Sequence, residues 1–293
     1  MNKEIIEIDG YRHTLDLNTG EVKKLHNIEV EDGSIIKIIT PEQQEIIKSK
    51  EQQKIYRADL YNELGDFYFI MNENKLGNLS PANATRLIYL CTYLNYNNEF
   101  MLNHTKEMKK SDIKDLLKMS KRSFYNFWNE INPTYIVEDK NKLRLNTKEI
   151  NKGKTTSKKT SYRKLWIKQV RELYEATPIS KHKHLGYVFQ LLPFVNIEYN
   201  IVCQNQNERI LDKIQPLTIK DFCDIIGYNP NQSSRLIETY KNITFDFRGG
   251  KEYFVSFVTN TGILDEAKIF INPHVIYSGS NYKGVEILGA FVK

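Results

Sequence analysis

The chain has 293 residues, 40% of them hydrophobic and 27% charged, with a formal net charge of +6. Its 18 Tyr and 14 Phe exclude an intrinsically disordered chain, because so many aromatic side chains need packed cores. No apolar run reaches the ~18 residues of a membrane span, and the start, MNKEIIEIDGY, lacks the apolar core of a signal peptide. The three cysteines, Cys91, Cys203 and Cys223, form no Cys-x-x-Cys pair, which favours buried thiols in a reducing cytoplasm over disulfides or zinc.

The first 75 residues predict a small β-hairpin unit and a long helix. Residues 1–40 alternate between apolar and polar side chains, as the residues of two-sided strands do. Residues 41–64 are charged and amphipathic, which indicates a helix, and FYFIM (67–71) is typical of a strand. This region could brace the remainder of the chain or mediate self-association, so a homodimer is left open.

Residues 111–131 predict two short helices joined by a tight turn, the helix-turn-helix arrangement. The first, SDIKDLLKM, places Ile113, Leu116 and Leu117 on one side. The second begins after Ser120, a good N-cap residue. Its apolar residues recur at i, i+3, i+4 and i+7, the spacing of one buried helix face: Phe124, Phe127, Trp128 and Ile131.

The same pattern recurs without gaps at an offset of 109, in residues 217–240. N-caps fall on N-caps, and apolar positions fall on apolar positions. Thr218 opens the first helix of this copy with a capping box, and Asn229 caps the second. Gly227 occupies the turn, where the first copy has Lys118.

Alternating strands follow each copy. The segment 135–145 predicts a hairpin that turns at residues 139–142, and 243–260 predicts one that turns at Gly249-Gly250. A further strand is predicted at 267–272.

An apolar helix precedes each copy, at 82–96 and at 183–195. A helix, a helix-turn-helix and a hairpin, in that order, form a winged helix. We therefore predict an α+β protein with two tandem winged-helix domains and a small N-terminal extension. The predicted boundaries are 1–75 for the hairpin and helix extension, 76–147 for the first winged helix, 148–165 for a basic linker and 166–293 for the second winged helix.

The positive charge is concentrated in residues 146–169, which hold eight Lys or Arg and a single acid, Glu149. This segment alone carries +7, so the remainder of the chain is close to neutral. A concentrated basic stretch is typical of an electrostatic contact with nucleic acid. The alternative is a solvated linker whose lysines serve solubility alone.

Residues 268–280, KIFINPHVIYSGS, form a strand that ends in Ile-Asn-Pro and leads to an aromatic residue and a glycine. With this motif, residues 216–280 resemble the C-terminal part of RepL-type plasmid replication proteins. Two tandem winged helices also resemble the broader class of plasmid initiators and phage regulators. The resemblance covers about a quarter of the chain, implies DNA binding and supplies no catalytic residues. Its motif residues are Ile271, Asn272, Pro273, Tyr277 and Gly279.

A winged helix places the start of its second motif helix in the major groove and its hairpin on the DNA backbone or in the minor groove. Arg can pair with guanine and Asn or Gln with adenine, whereas Lys and Ser more often hold phosphates. We therefore expect three sets of residues to contact double-stranded DNA. In the first unit these are Lys121, Arg122, Ser123, Tyr125, Asn126, Lys140 and Lys142; in the linker Lys152, Lys154, Lys158, Lys159, Arg163 and Lys164; and in the second unit Asn231, Gln232, Ser234, Arg235, Arg248 and Lys251.

Other constellations in the sequence do not support chemistry. GKTT (153–156) ends like a P-loop, but that motif needs a glycine where Lys148 stands. His182 and His184 have no third metal ligand nearby, and the sequence contains no catalytic motif. We therefore expect no cofactor, no bound metal and no enzymatic activity.

The sequence thus predicts a cytoplasmic, sequence-specific double-stranded DNA-binding protein of phage or plasmid type. Its winged helices would recognise an origin or an operator, for a replication initiator or a transcription regulator. The alternative is an interaction protein whose winged helices bind a host replication or transcription protein. We expect no association with a membrane.

Overall fold

The computed structural model describes residues 3–25, 40–71, 75–103, 105–140, 142–153, 162–259, 267–289 and 291–293. The fold is α+β, as predicted, and combines helices with small antiparallel sheets. It divides into two compact units, residues 1–51 and 52–293. Among the described helices, none is long and apolar enough to cross a membrane.

The first unit contains an antiparallel sheet in the order β1-β2-β3, formed by Lys3–Ile8, Tyr11–Asp16 and Val22–Lys24. Strands β1 and β2 meet in a two-residue turn at Asp9-Gly10, where both residues have the positive φ that a type I′ turn requires. The predicted hairpin is confirmed over these strands, while residues 26–39 lie outside the described part. Helix α1 (Pro41–Leu64) begins and ends where the sequence predicts.

The two predicted helix pairs are present and coincide at the predicted offset. Helices α3 (Lys110–Leu116) and α4 (Lys121–Ile131) match α7 (Ile219–Ile225) and the segment made of a short 3-10 turn, Pro230–Gln232, and α8 (Ser233–Tyr240). The turns also match, since Lys118 has φ +52° and Gly227 has φ +65°. Both residues thus adopt the left-handed conformation that reverses the chain after a helix.

Side-chain caps fix where these helices begin. Ser120 Oγ accepts a backbone hydrogen bond at 3.2 Å at the start of α4. Thr218 Oγ1 accepts one from Asp221 N at 3.2 Å, and the Asp221 carboxylate accepts one from Thr218 N at 2.9 Å. Asn229 Oδ1 accepts a backbone hydrogen bond at 3.0 Å ahead of α8. The three predicted N-caps are therefore confirmed.

A two-stranded antiparallel hairpin follows each helix pair: β5 (Ile136–Asp139) with β6 (Lys142–Leu145), and β9 (Thr244–Phe247) with β10 (Gly250–Tyr253). The first hairpin turns at the predicted residues. The second turns at Arg248-Gly249, one residue before the predicted turn, because Phe247 pairs with Gly250. Arg248 has φ +50°, so an arginine takes the left-handed position that the sequence suggests for a glycine.

A four-stranded antiparallel sheet in the order β13-β8-β4-β7 crosses the second unit. Its strands are β4 (Phe67–Met71), β7 (Ile150–Asn151), β8 (Tyr162–Trp166) and β13 (Ile276–Tyr277). The predicted domain boundaries near residues 75, 147 and 165 therefore cut through one sheet. The predicted linker, 148–165, is not a loop at either end, because β7 and all but the last residue of β8 lie within it. Its residues 154–161 lie outside the described part.

The remaining helices and strands complete the second unit. They are α2 (Pro81–Cys91), α5 (Ile167–Ala176), α6 (His182–Gln190), β11 (Val255–Val258), β12 (Lys268–Ile271) and α9 (Tyr282–Gly289). Helices α2 and α6 begin where the sequence predicts and end earlier, while β12 confirms the strand predicted at 267–272. The sequence did not predict α5, whose first residues continue the basic segment.

The sheet has a two-fold topology. Its central strands β4 and β8 run antiparallel, with Phe69 opposite Lys164, and each strand leads into one helix pair. The outer strands β7 and β13 return after the two hairpins, and each pairs with the central strand of its own half. The strand order therefore reads the same from either edge, as in two copies related by a two-fold axis.

Helices α2 and α6, which precede the two helix pairs, pack against each other. Thr85 Oγ1 of α2 donates a hydrogen bond to His182 O of α6 at 2.7 Å. Gly186 lies so close to the backbone of Pro81 that a Cβ atom there would overlap it. The two helices can therefore approach this closely only because residue 186 has no side chain.

The apolar positions predicted for the two helix pairs form one continuous core. Phe127 and Trp128 of α4 are buried, and so is Ile237 of α8. One cluster of buried side chains contains all three. The two halves are therefore parts of one compact body rather than domains separated by a flexible linker.

Replacing Gly186 with alanine is expected to destabilise the chain, because the new methyl group would overlap the Pro81 backbone. Forced overpacking of this kind costs about 1–3 kcal/mol, and occasionally more. The midpoint of urea unfolding, followed by circular dichroism, should fall accordingly. Gly250→Ala is the matched control and should leave the midpoint unchanged, since its Cβ would lie 3.8 Å from Phe247 O, an ordinary contact. Equal midpoints for the two variants would contradict the close approach of the helices.

Candidate nucleic-acid interface

The outward face of α4 carries every residue that the sequence assigns to it. Lys121, Arg122, Ser123, Tyr125 and Asn126 are all exposed. The opposite face of the helix is buried in the core. This division follows from the i, i+3, i+4, i+7 spacing of the apolar residues, which confines them to one stripe of the helix.

The cations at the start of α4 have no acidic partner. Within the described residues, neither Lys121 nor Arg122 forms an ion pair, and the first turn of α4 contains no acidic residue. The exposed Lys118 adds a third cation in the turn before the helix. The sequence pattern draws attention to Lys118 only because it replaces a glycine. Its position two residues before the N-cap also indicates that it can contribute to an anion-binding surface. We call Lys118, Lys121, Arg122, Ser123, Tyr125 and Asn126 the α4 surface.

The corresponding face at the start of α8 is exposed but carries less charge. Asn231, Gln232, Ser234 and Arg235 all lie at the surface, as predicted from the helix spacing. Arg235 is the one cation among these four, and in the described part of the chain it forms no ion pair. These four residues, which we call the α8 surface, offer amides and a hydroxyl where the α4 surface offers lysines.

Of the two cations predicted on the first hairpin, one is already paired. Lys142 Nζ lies 2.6 Å from Glu107 Oε1, and the hydrogen bond to Glu107 raises the pKa of Lys142 above its ordinary value. The neighbouring Arg144 Nη2 lies 2.8 Å from Glu99 Oε1. Lys140, by contrast, is exposed at the tip of the hairpin and has no ion pair among the described residues. A phosphate could therefore reach Lys140 directly, whereas Lys142 would first have to leave its carboxylate.

Both cations predicted on the second hairpin are exposed, and both are engaged by carboxylates. Arg248 Nη1 lies 3.1 Å from Glu286 Oε1, and Arg248 Nη2 contacts Glu63 Oε1. Lys251 Nζ lies 3.0 Å from Asp246 Oδ1. A phosphate would have to displace these acids, so the second hairpin is less suited to anions than its sequence suggests.

The prediction that Arg163 contacts DNA is wrong, because this side chain is completely buried. Alternation along β8 turns Arg163 and Leu165 towards the same interior face. Arg163 Nη2 donates a hydrogen bond to Val195 O, while Nε and Nη1 have no hydrogen-bond partner among the described residues. Burial lowers the pKa of this guanidinium to about 10. Arg163 is thus a buried cation, and in this position on β8 it cannot contact a ligand at the surface.

The other cations predicted in the linker lie in different settings. Lys164 is half-buried with its Nζ 5.0 Å from the centre of the Phe67 ring, and burial lowers its pKa. Lys152 is half-buried with its Nζ 5.6 Å from the centre of the Tyr96 ring, and burial lowers its pKa too. Lys154, Lys158 and Lys159 lie outside the described residues. For these three lysines, contact with DNA stays a prediction.

The motif that resembles RepL-type proteins holds the end of the chain together. Asn272 is buried, and its Nδ2 donates hydrogen bonds to Glu252 Oε2 and to Tyr253 O, both at 2.9 Å. Tyr277 OH donates one to a backbone carbonyl at 3.1 Å, and a Cβ on Gly279 would overlap this hydroxyl. Asn272 therefore holds the segment after β12 against β10, and Tyr277 holds it against Glu198, so the motif has a structural role that is independent of DNA.

No protein-family model, curated protein or solved structure matches the chain. The resemblance to RepL-type proteins therefore stays a prediction that rests on residues 268–280. The function has to be inferred from the geometry and the charge of the α4 and α8 surfaces.

Replacing Arg163 with methionine is expected to stabilise the chain by about 1 kcal/mol or more. Removing a buried charge without a carboxylate partner relieves a desolvation cost of several kcal/mol, against about 1–3 kcal/mol for the hydrogen bond lost at Val195 O. The free energy of unfolding in urea measures the change. Lys164→Met, at the next and half-buried position, is the control and should change stability by less. A loss of about 2 kcal/mol or more in Arg163→Met would contradict the burial of an unpaired cation.

Proposed function

We propose that the chain is a sequence-specific double-stranded DNA-binding protein with two winged helices. Helices α2, α3 and α4 with the β5–β6 hairpin form the first winged helix. Helices α6, α7 and α8 with the β9–β10 hairpin form the second. In a winged helix the second helix of the pair enters the major groove. Helices α4 and α8 are therefore the proposed recognition helices.

The α4 surface is the observation that carries this proposal. Within the described part of the chain, its three cations form no ion pair, and they lie at an exposed helix N-terminus, where the backbone N–H groups also favour anions. The acid near the end of this helix, Glu130, forms no ion pair with them and instead accepts hydrogen bonds from Ser80 and Asn83. Arg122 can pair with guanine and Asn126 with adenine, while the lysines suit phosphates.

The paired sheet supports a site in two parts. Because β4 pairs directly with β8, the two helix pairs belong to one body, and their separation and relative orientation are fixed. Helix-turn-helix dimers with a two-fold axis read two half-sites in inverted order. We infer the same arrangement for this chain. Its two half-sites would differ in sequence, since the α4 and α8 surfaces carry different side chains.

The DNA that we propose is an origin or an operator of a plasmid or a phage. The resemblance of residues 216–280 to RepL-type proteins supports the role of a replication initiator, and a transcription regulator would need the same contacts. In either role, each neutralised phosphate makes the slope of log K against log salt steeper by about 0.9 on duplex DNA.

A second candidate function is favoured by the α8 surface, which has a single cation. On the preceding helix, α7, the side chain of Ile225 is 38% exposed. A surface of amides and apolar groups with little charge is typical of contacts between proteins rather than contacts with phosphates. In this case α8 would bind a host replication or transcription protein, while α4 alone would contact DNA.

Changing Lys121 and Arg122 together to alanine is expected to weaken DNA binding by at least about 30-fold, because two contacts of about 1–3 kcal/mol each are lost. The duplex is selected from a random library with the unaltered chain, and competition binding measures the affinities at several salt concentrations. The salt slope should become shallower by about 1–2 units. The melting temperature should not fall, since both side chains are exposed.

Arg209→Ala with Lys213→Ala is the matched control, because it removes one arginine and one lysine from an exposed loop outside both helix pairs. This variant should keep its affinity for the selected duplex. Unchanged affinity in the Lys121 and Arg122 variant would contradict the proposal. Equal losses of affinity in both variants would show that the loss comes from net charge alone and not from the α4 surface. Arg235→Ala in the same assay tests α8: weaker DNA binding supports two recognition helices, and unchanged binding favours the second candidate.

A further inference from the structure

A cluster of two glutamates and a histidine lies where the second hairpin meets the end of the chain. Its members are Glu252 of β10, His274 of the segment after β12 and Glu286 of α9, and we call it the Glu-His-Glu cluster. His274 is completely buried, and Glu252 is only 5% exposed. One ligand atom from each of the three residues lies within 4.8 Å of the others.

The imidazole of His274 is held at one nitrogen and has no partner at the other. Its Nδ1 lies 2.7 Å from Glu252 Oε2, and since a carboxylate only accepts, Nδ1 is the donor. Phe247 stacks on the ring with the two centroids 4.1 Å apart, which limits its rotation. In the neutral ring, Nε2 therefore carries the lone pair. It has no hydrogen-bond partner in the described part of the chain and faces Glu286 Oε2 at 3.6 Å, beyond hydrogen-bond distance.

This spacing suits two ligands of one metal ion. Ligands at about 2.0–2.1 Å from a tetrahedral zinc ion lie about 3.3–3.5 Å from each other. A metal-binding histidine usually donates its other ring N–H to a carboxylate, as His274 does to Glu252. Imidazole and carboxylate together form a ligand set that zinc and related divalent ions accept.

The charges around the cluster also favour a cation. Three carboxylates, those of Glu63, Glu252 and Glu286, lie in this region, and the guanidinium of Arg248 pairs with two of them. With a neutral imidazole, the three carboxylates and the guanidinium carry a total charge of −2. A protonated His274 would cancel one of the two negative charges, whereas a divalent cation would cancel both. Uncompensated charge is costly at a site as buried as this one.

We propose that the Glu-His-Glu cluster binds a divalent cation of the zinc class. His274 Nε2 and an oxygen of Glu286 are the ligands, Glu252 orients the imidazole, and water fills the remaining positions. A cleft of about 630 Å³ borders Glu286, and it is lined by Arg248, Lys283, Glu286, Ile287, Phe291 and Val292. A bound ion ties the second hairpin to α9. This inference does not depend on the proposed DNA binding.

Calorimetric titration of the EDTA-treated full chain with zinc chloride is expected to show one ion bound per chain with micromolar affinity. Saturating zinc should raise the melting temperature by about 5 °C. Cobalt(II) is a second probe of the ligand type. Nitrogen and oxygen ligands give visible d–d bands, without the near-ultraviolet thiolate band that binding to Cys91, Cys203 or Cys223 would add.

Glu286→Gln is expected to weaken zinc binding by about 10-fold or more, because it removes a charged ligand while keeping the side chain's size. Glu252→Gln should weaken it by about 10–100-fold, because an amide oxygen is a weaker acceptor than a carboxylate and raises the basicity of His274 Nε2 less. Glu63→Gln is the matched control, since it removes a carboxylate from the same arginine without removing a ligand, and it should weaken zinc binding far less than Glu286→Gln does. Circular dichroism checks the folding of each variant. Glu286 is only half-buried, so its variant keeps the test decisive if Glu252→Gln does not fold.

The absence of saturable zinc binding would overturn the proposal. Binding that Glu286→Gln leaves unchanged would place the ion elsewhere in the chain and would overturn it as well. A thiolate band in the cobalt spectrum would have the same meaning. One zinc ion per chain, bound far more weakly by Glu286→Gln than by Glu63→Gln, is the result that supports it.

Discussion

The antiparallel pairing of β4 with β8 is the contact on which the rest of the second unit depends. Phe67 lies opposite Trp166, so the pairing joins the strand that precedes the first helix pair to a strand that follows it. Each strand then leads into its own helix pair, and each receives a returning strand along its outer edge. A slip of one residue would turn Leu165 out of the core and Lys164 into it, so the register is strongly specified. The relative positions of α4 and α8 follow from this pairing.

The helix pairs and the hairpins could be predicted because their signals are local. N-caps such as Ser120 and Thr218, and the apolar spacing after them, lie within a single turn or two of helix. The four-stranded sheet could not be predicted in this way. Strand β7 has two residues, and β8, YRKLW, continues a lysine-rich run, so neither has a distinctive local pattern. What makes them strands is their pairing with β4, a partner far away in the chain.

The same distinction separates the candidate site into predictable and unpredictable parts. The exposure of Arg122 and Arg235 follows from helix periodicity alone, and the structure agrees with it. The burial of Arg163 follows from the register of β8, and the ion pairs of Arg248 with Glu63 and Glu286 join residues that lie far apart in sequence. Charge counted along a segment therefore overestimated the basic surface, because it ignored which cations the fold buries or pairs. The Glu-His-Glu cluster was not predicted for the same reason, since its three residues come from separate elements.

Hydroxyl-radical footprinting on a duplex selected by the chain tests most directly whether the paired sheet fixes two recognition helices on one body. We expect two protected patches at one constant spacing. Inserting about 5 base pairs, half a helical turn, between them should lower the affinity to that of a single half-site, because a rigid body cannot follow the rotated half. A single protected patch would contradict this account. A two-part site whose affinity is unchanged by the insertion would contradict it too, because that result requires a flexible linker between the two helices.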